Sequence, residues 1–226
     1  MAATDPLRLV LLDVDGTLVD SLHNICTAMD LACSWVGVEA PPHAHVRRGV
    51  GLSLIEAVAQ ALPDQPADIH ARLAEAYKDA FVEQRARPDH QEHLFPGTGA
   101  ALDSLDQAGW LIGLATGKSR RGVDSFIERH GFHDRFVTIH TADDGPGKPD
   151  PAMIFRALAN TGCDPQYTVM VGDTTFDMAM ARSARVGAIA VTWGSHAVPD
   201  LRAAGAQEVI SDFAALGPAV RALTGG

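Results

Sequence analysis

Leu7-Arg8-Leu9-Val10-Leu11-Leu12-Asp13-Val14-Asp15-Gly16-Thr17-Leu18-Val19-Asp20-Ser21 is the stretch on which the fold turns. Its first half is an almost unbroken apolar run, the pattern of a parallel strand buried on both faces. Ligands of open α/β sheets gather beyond the carboxyl ends of such strands, so the run delivers Asp13 and Asp15 to the expected active edge. Gly16 permits a turn directly after them.

Working outward, Leu22, Ile25, Met29, Ala32 and Val36 recur at helical spacing. Further helical patterns continue to about residue 92, punctuated by Pro41-Pro42 and Pro63, without a convincing strand. Beyond Leu94 the character changes. Strand-like runs at Trp110 to Ala115, Phe136 to Thr141, Thr168 to Val171, Ala188 to Thr192 and Glu208 to Ile210 alternate with helix-like segments. This alternation predicts an α/β fold with a doubly wound, Rossmann-like parallel sheet built from residues 1–20 and 93–226. Residues 21–92 are expected to form a small all-helical cap domain, inserted after the first strand and lying over the strand ends.

Composition narrows the function. The 226 residues are 46% hydrophobic and 20% charged, with a net charge of −10. An acidic chain without clustered Lys and Arg is expected to bind neither nucleic acid nor an anionic membrane surface. No apolar run approaches the length of a membrane span, and no leader pattern opens the chain. Cys26, Cys33 and Cys163 have neither CxxC spacing nor an even count, so they predict no disulfide framework or zinc site, and a reducing, cytoplasmic setting. Cys26 and Cys33, seven apart on one predicted helix, read as small buried hydrophobes.

Four loops carry chemistry. In the first, Asp13 and Asp15 could divide the roles of nucleophile and proton carrier, hold a hard cation together, or form a plain Asx turn. Thr116-Gly117-Lys118-Ser119 follows another strand and offers hydroxyl, backbone N–H and cationic groups to a phosphate, although it lacks the spacing of a Walker A loop. Gly147-Lys148-Pro149-Asp150-Pro151 sets a lysine before a proline-started helix. Gly172-Asp173-Thr174-Thr175-Phe176-Asp177 follows a third strand, where Asp173 and Asp177 could complete a Mg²⁺ site or simply cap a helix. Together they meet a shared need, because an anionic nucleophile and a phosphate repel each other unless a metal and a fixed cation intervene.

These four segments, DVDGTLVDS, ATGK, GKPDP and GDTTFD, resemble in order the motifs of the haloacid dehalogenase superfamily, and the chain looks most like its phosphoglycolate phosphatase group. The resemblance implies Mg²⁺-dependent hydrolysis of a small phosphomonoester, phosphoglycolate among the candidates, by a monomer or homodimer. It implies Asp13 as the nucleophile that becomes an aspartyl-phosphate and Asp15 as general acid, then base, with a pKa raised by burial or a neighbouring charge. Thr116 and Lys148 would bind the transferring group, with Gly16, Thr17, Gly117 and Lys118 around the substrate. Asp13, the backbone carbonyl of Asp15, and Asp173 would hold Mg²⁺, supported by Asp177.

Arg47-Arg48-Gly49-Val50-Gly51-Leu52-Ser53 looks like the family's substrate-facing cap loop, with Arg47 or Arg48 expected to meet a carboxylate or second phosphate unless both are solvated surface groups. Arg185 stands where such sequences commonly carry glycine. Phosphosugar mutases of the superfamily carry a cap histidine twelve residues after the nucleophile, whereas this chain has Ile25, which favours hydrolysis. Dehalogenases lack the second aspartate that Asp15 provides. A pyrophosphatase or sugar-phosphate phosphatase remains an alternative, while a phospho-receiver domain would be about half as long and without the inserted helices.

Overall fold

A computed structural model describes residues 6–88 and 90–225; the first five residues, part of the segment read above for a leader, lie outside it. Six parallel strands form one sheet: β1 (Leu9–Leu12), β4 (Leu111–Ala115), β5 (Thr138–His140), β6 (Thr168–Gly172), β7 (Gly187–Val191) and β8 (Glu208–Ile210). Their order is β5-β4-β1-β6-β7-β8, which puts β1 between the two halves at the point where the winding reverses. Each strand lies within or beside its predicted run. A separate antiparallel pair, β2 (Val19–Asp20) with β3 (His93–Leu94), was not expected; its members are too short to show a period.

Alternation explains the two layers around the sheet. Val10 and Leu12 point to one face, into a cluster with Ile112, Leu114, Phe126 and Val171; Leu9 and Leu11 point to the other, among Met153, Met170 and Met178. All four β1 residues are fully buried, so this strand is apolar on both faces, as a central parallel strand must be. The crossover helices are α5 (Thr98–Gln107), α6 (Arg120–His130), α7 (Ala152–Thr161), α8 (Thr175–Ala184) and α9 (Val198–Ala204), with α10 (Leu216–Thr224) closing the chain.

Four helices lie between β2 and β3: α1 (Leu22–Val36), α2 (His43–Arg48), α3 (Leu54–Ala61) and α4 (Ala67–Ala86). They share their own apolar cluster, in which Cys26, Met29 and Cys33 of α1 meet Val46, Val58 and Leu73. All three cysteines are free and buried. Among the described residues, no helix is long and apolar enough to cross a membrane.

Helix α8 ends at Arg185 with φ 59°, a left-handed conformation in which a Cβ is strained and glycine is not. Arg185→Gly is therefore expected to stabilise the fold by about 0.5–1 kcal/mol, roughly 1–4 °C in Tm. Thermal melts of both proteins check this, and a lower Tm for the variant would mean that the arginine side chain supplies compensating contacts.

Candidate active site

The carboxyl ends of β1, β4, β6 and β7 meet around one buried point. Asp13 directly follows β1, and its N–H donates to the Val171 carbonyl at 3.0 Å, which keeps it in register with β6. Its Oδ1 accepts the Val14 N–H at 2.7 Å and lies 2.9 Å from Lys148 Nζ. Its Oδ2 is buried without a hydrogen-bond partner. Such an oxygen costs free energy unless something binds there, and it faces the place where chemistry would occur.

Among the described residues, Lys148 is the only cation inside this cluster, with Nζ also 2.6 Å from Asp177 Oδ1 and its side chain completely buried. Burial alone would depress the ammonium, but Asp13 and Asp177 outweigh it and raise its pKa, so the lysine stays charged. The other Asp177 oxygen, Oδ2, accepts the Thr174 N–H at 3.0 Å and the Thr174 hydroxyl at 2.7 Å in a capping box at the start of α8. Capping and ion pairing thus coexist in one residue.

Asp173 is held from two sides. Thr17 Oγ1 donates to Oδ1 at 2.8 Å, and the Ser195 N–H donates to Oδ2 at 2.7 Å. Gly16 has φ +82°, and a Cβ there would lie 2.3 Å from Asp173 Oδ2, so the turn after Asp15 requires glycine on both counts. Gly16 and Thr17, expected around the substrate, instead pack against Asp173, and Thr17 is fully buried.

Carboxylate oxygens of Asp13, Asp173 and Asp177 lie within 4.8 Å of one another. Burial, together with mutual repulsion, pushes Asp13 up to about 7 and Asp173 up to about 6 despite Lys148. A divalent cation with oxygen ligands fits this set: it would relieve the repulsion and engage the orphaned Asp13 oxygen. Asp13 Oδ2 is the most open ligand atom of the three residues, since both Asp173 oxygens accept hydrogen bonds and Asp177 accepts from Thr174 on one oxygen and pairs with Lys148 on the other.

Asp15 stands apart from that cluster. Lys118 Nζ reaches its Oδ1 at 2.7 Å and its Oδ2 at 3.0 Å, and lies 3.6 Å from buried Glu92. The raised Asp15 pKa expected with substrate bound is not present in the free site. Burial does push it up, but the Lys118 charge and its hydrogen bonds outweigh burial and hold the carboxyl below its ordinary value. Lys118 is thus committed to Asp15 in this structure. Neither Lys118 nor Glu92 revealed this partnership in sequence, because no local spacing links them.

Thr116, Gly117 and Lys118 line a cavity of about 620 Å³ together with Asp13 and Asp15. The Thr116 hydroxyl accepts the Lys118 N–H at 3.2 Å, which shapes the loop before α6. The segment Gly49 to Ser53 also lines this space. It comes so close to the core that a Cβ on Gly117 would lie 2.5 Å from the Gly51 carbonyl oxygen. Arg47 and Arg48, expected to meet substrate, do not line this cavity in the ligand-free structure. Arg47 turns to the loop after β7, donating from Nε to the Ser195 carbonyl at 2.8 Å and from Nη2 to the Gly194 carbonyl at 2.5 Å. The Arg48 carbonyl lies 3.2 Å from His196 Nε2, and His196 Nδ1 accepts the Thr175 N–H at 3.0 Å. The bond from Thr175 leaves the other ring nitrogen as the donor to Arg48.

Parallel α/β topology with acidic, hydroxyl and lysine groups converging beyond the strand ends defines a strand-edge hydrolase. Residues 10–191 match the family model of the haloacid dehalogenase-like hydrolases, and the chain belongs to that family. "Probable phosphatase IndB" of Dickeya dadantii (strain 3937) is 34% identical over 218 residues, covering 95% of this chain and 94% of that protein. A phosphoglycolate phosphatase of Vibrio cholerae is 31% identical, covering 85% and 88% respectively. Among solved structures, a haloacid dehalogenase-like family hydrolase from Streptococcus pneumoniae has a TM-score of 0.80 at 23% identity, covering 94% of this chain and 97% of that one. At that identity the likeness concerns the fold.

The raised Asp13 pKa has a consequence for stability. Its ordinary value of 3.8 rises to about 7 in the fold, so its contribution is fully present at low pH and is lost as pH rises through about 7. With metal chelated at about pH 8, Asp13→Asn should melt higher than wild type, by about 2–4 °C or more, and the gap should close toward about pH 4. Melts in chelator across that range check this; a variant that melts lower at the alkaline end would mean Lys148 already balances the Asp13 charge.

Proposed function

We propose that the chain is a Mg²⁺-dependent phosphomonoester hydrolase in which Asp13 is the nucleophile. The observation that carries this reading is the buried Asp13 oxygen without a partner, Oδ2, set beside Lys148 and the Thr116–Lys118 loop. Asp13, Asp173 and the backbone carbonyl of Asp15 would hold Mg²⁺, with Asp177 fixing Lys148. Bound there, the metal would neutralise charge on the nucleophile and on the phosphoryl oxygens.

Thr116, Gly117 and Lys148 orient the phosphoryl group. Asp13 attacks phosphorus while the ester P–O bond breaks, and Asp15 gives its proton to the departing alkoxide. In the second half Asp15, now a carboxylate, takes a proton from water as that water attacks phosphorus. The bond to Asp13 breaks and inorganic phosphate leaves. The Lys118 pair suits the second half, because it favours ionised Asp15. For the first half, an arriving phosphoryl dianion competes for Lys118 and raises the Asp15 pKa, so proton uptake accompanies substrate binding.

Residues 21–92 act as the cap over this site and residues 1–20 and 93–226 as the catalytic core. Ile25 lines the cavity where the related mutases carry histidine, so the cap offers no imidazole at that position and hydrolysis is favoured over transfer. Three free, buried cysteines fit a reducing cytoplasm. The enzyme works there as a monomer or homodimer on small phosphorylated molecules.

Phosphate release from a simple phosphomonoester should require Mg²⁺ and fall to background in Asp13→Asn, whose amide is a poor nucleophile. Retained turnover in that variant would place the nucleophile elsewhere. Asp15→Asn should slow hydrolysis of an alkyl phosphate by about 10²–10⁴-fold. The loss for p-nitrophenyl phosphate should be much smaller, since that leaving group departs without protonation. The comparison is made in kcat/KM, which covers the steps through release of the alcohol and not the later attack of water, where Asp15→Asn slows both esters alike; equal losses in kcat/KM would remove Asp15 from the role of general acid.

A further inference from the structure

Above the polar floor the cavity changes character. One face of α4 supplies Ala74, Tyr77, Phe81 and Arg85, spaced so that all four project to the same side of the helix. The same cavity is lined by Ile25, which packs with Phe81 and Tyr77, by Met29 of α1, and by Val50, Leu54 and Ile55 from the loop and helix that follow. Tyr77 and Phe81 form an aromatic pair with ring centroids 5.3 Å apart, and the Arg85 guanidinium lies over the Phe81 ring at 5.0 Å. Arg85 Nε is buried without a hydrogen-bond partner.

Size argues against a very small acid as the preferred substrate. At ~30 Å³ per water, 620 Å³ corresponds to the space of about twenty waters, far more than a glycolyl group fills beside the phosphate. Pockets of roughly 300–1,000 Å³ suit drug-sized ligands, and apolar walls gain from apolar surface brought against them. Two of the cations around the cavity are already matched: Lys118 by Asp15, and Lys78 by Glu75 at 2.7 Å. Pyrophosphate would leave these apolar walls uncovered.

We propose that the preferred substrate is a phosphomonoester whose organic part is a bulky, largely apolar ring, seated against Tyr77 and Phe81. A hydrogen-bond acceptor on the ring would satisfy Arg85 Nε. The proposal rests on the phosphomonoester reading above and names the substrate class for the same site.

The test compares 2-phenylethyl phosphate, ethyl phosphate and phosphoglycolate with Mg²⁺ present. Phenylethyl and ethyl esters release similar alkoxides, so their ratio reads the cavity rather than leaving-group reactivity. The kcat/KM for the phenylethyl ester should exceed that for each of the other two by at least about tenfold. Ala74→Leu should narrow the phenylethyl-to-ethyl ratio by about fivefold or more by filling the wall. Ala71→Leu, at an exposed position that also lines the cavity, should narrow it too and guards against a folding defect at Ala74. Phosphoglycolate matching or surpassing the phenylethyl ester, or a ratio unmoved by both variants, would overturn the ring pocket while leaving phosphatase chemistry intact. No turnover of any of the three would instead overturn the phosphatase reading on which it rests.

Discussion

A single buried ammonium, Lys148, makes the centre of this protein possible. Asp13, Asp173 and Asp177 are all removed from water, and isolated carboxylates in such a place would take up protons rather than stay charged. Lys148 touches two of them and offsets part of that cost. It does not offset all of it, which is why Asp13 and Asp173 remain pushed toward neutrality. The residual imbalance is functionally sensible: a site already neutral would have little electrostatic reason to bind a divalent cation and then a phosphoryl group.

Around that imbalance the loops are arranged to keep each acid from relaxing. Asp177 is tied to its own helix start, Asp173 is tied to Thr17 and Ser195, and Asp15 is tied to Lys118. The loop after β7 has a second duty. While the Ser195 N–H holds Asp173, the Gly194 and Ser195 carbonyls hold Arg47 from the helical insertion, and Trp193 Nε1 donates to the Thr17 carbonyl at 3.1 Å. The inserted helices and the acidic cluster therefore share one short stretch of backbone.

Much of this was legible in the chain. Apolar runs mark the parallel strands because a doubly covered sheet needs them, and the four motif loops follow strands because that is where the fold leaves backbone free to meet ligands. What escaped was direction. Thr17 and Lys118 sit in motif loops and Arg47 at the end of α2, yet their partners Asp173, Asp15 and Ser195 are 156, 103 and 148 residues away. No local spacing encodes such pairings. The Asp15 pKa shows the cost: burial was foreseeable from a strand end, but in the free site its effect is outweighed by one ammonium brought in from the loop after β4. The β2–β3 pair escaped for another reason, since a two-residue strand carries no periodicity.

Chemistry and selection are physically separated in the cavity. Strand ends supply a floor of carboxylates, hydroxyl and lysines that recognises what every phosphomonoester shares, and its demands on the sequence are strict because distances between charges decide whether it works. Helix α4 supplies a wall whose contribution grows with the apolar area brought against it, without regard to direction. Two wall residues reach that floor, since the Phe81 ring lies 5.8 Å from Lys118 Nζ and the Arg85 charge acts on Asp15; the others can change without touching the charges below, provided the Arg47 contact and the approach of Gly51 to Gly117 are kept. The floor therefore explains why the chain resembles phosphatases along most of its length. The wall is where its own substrate must have left its mark.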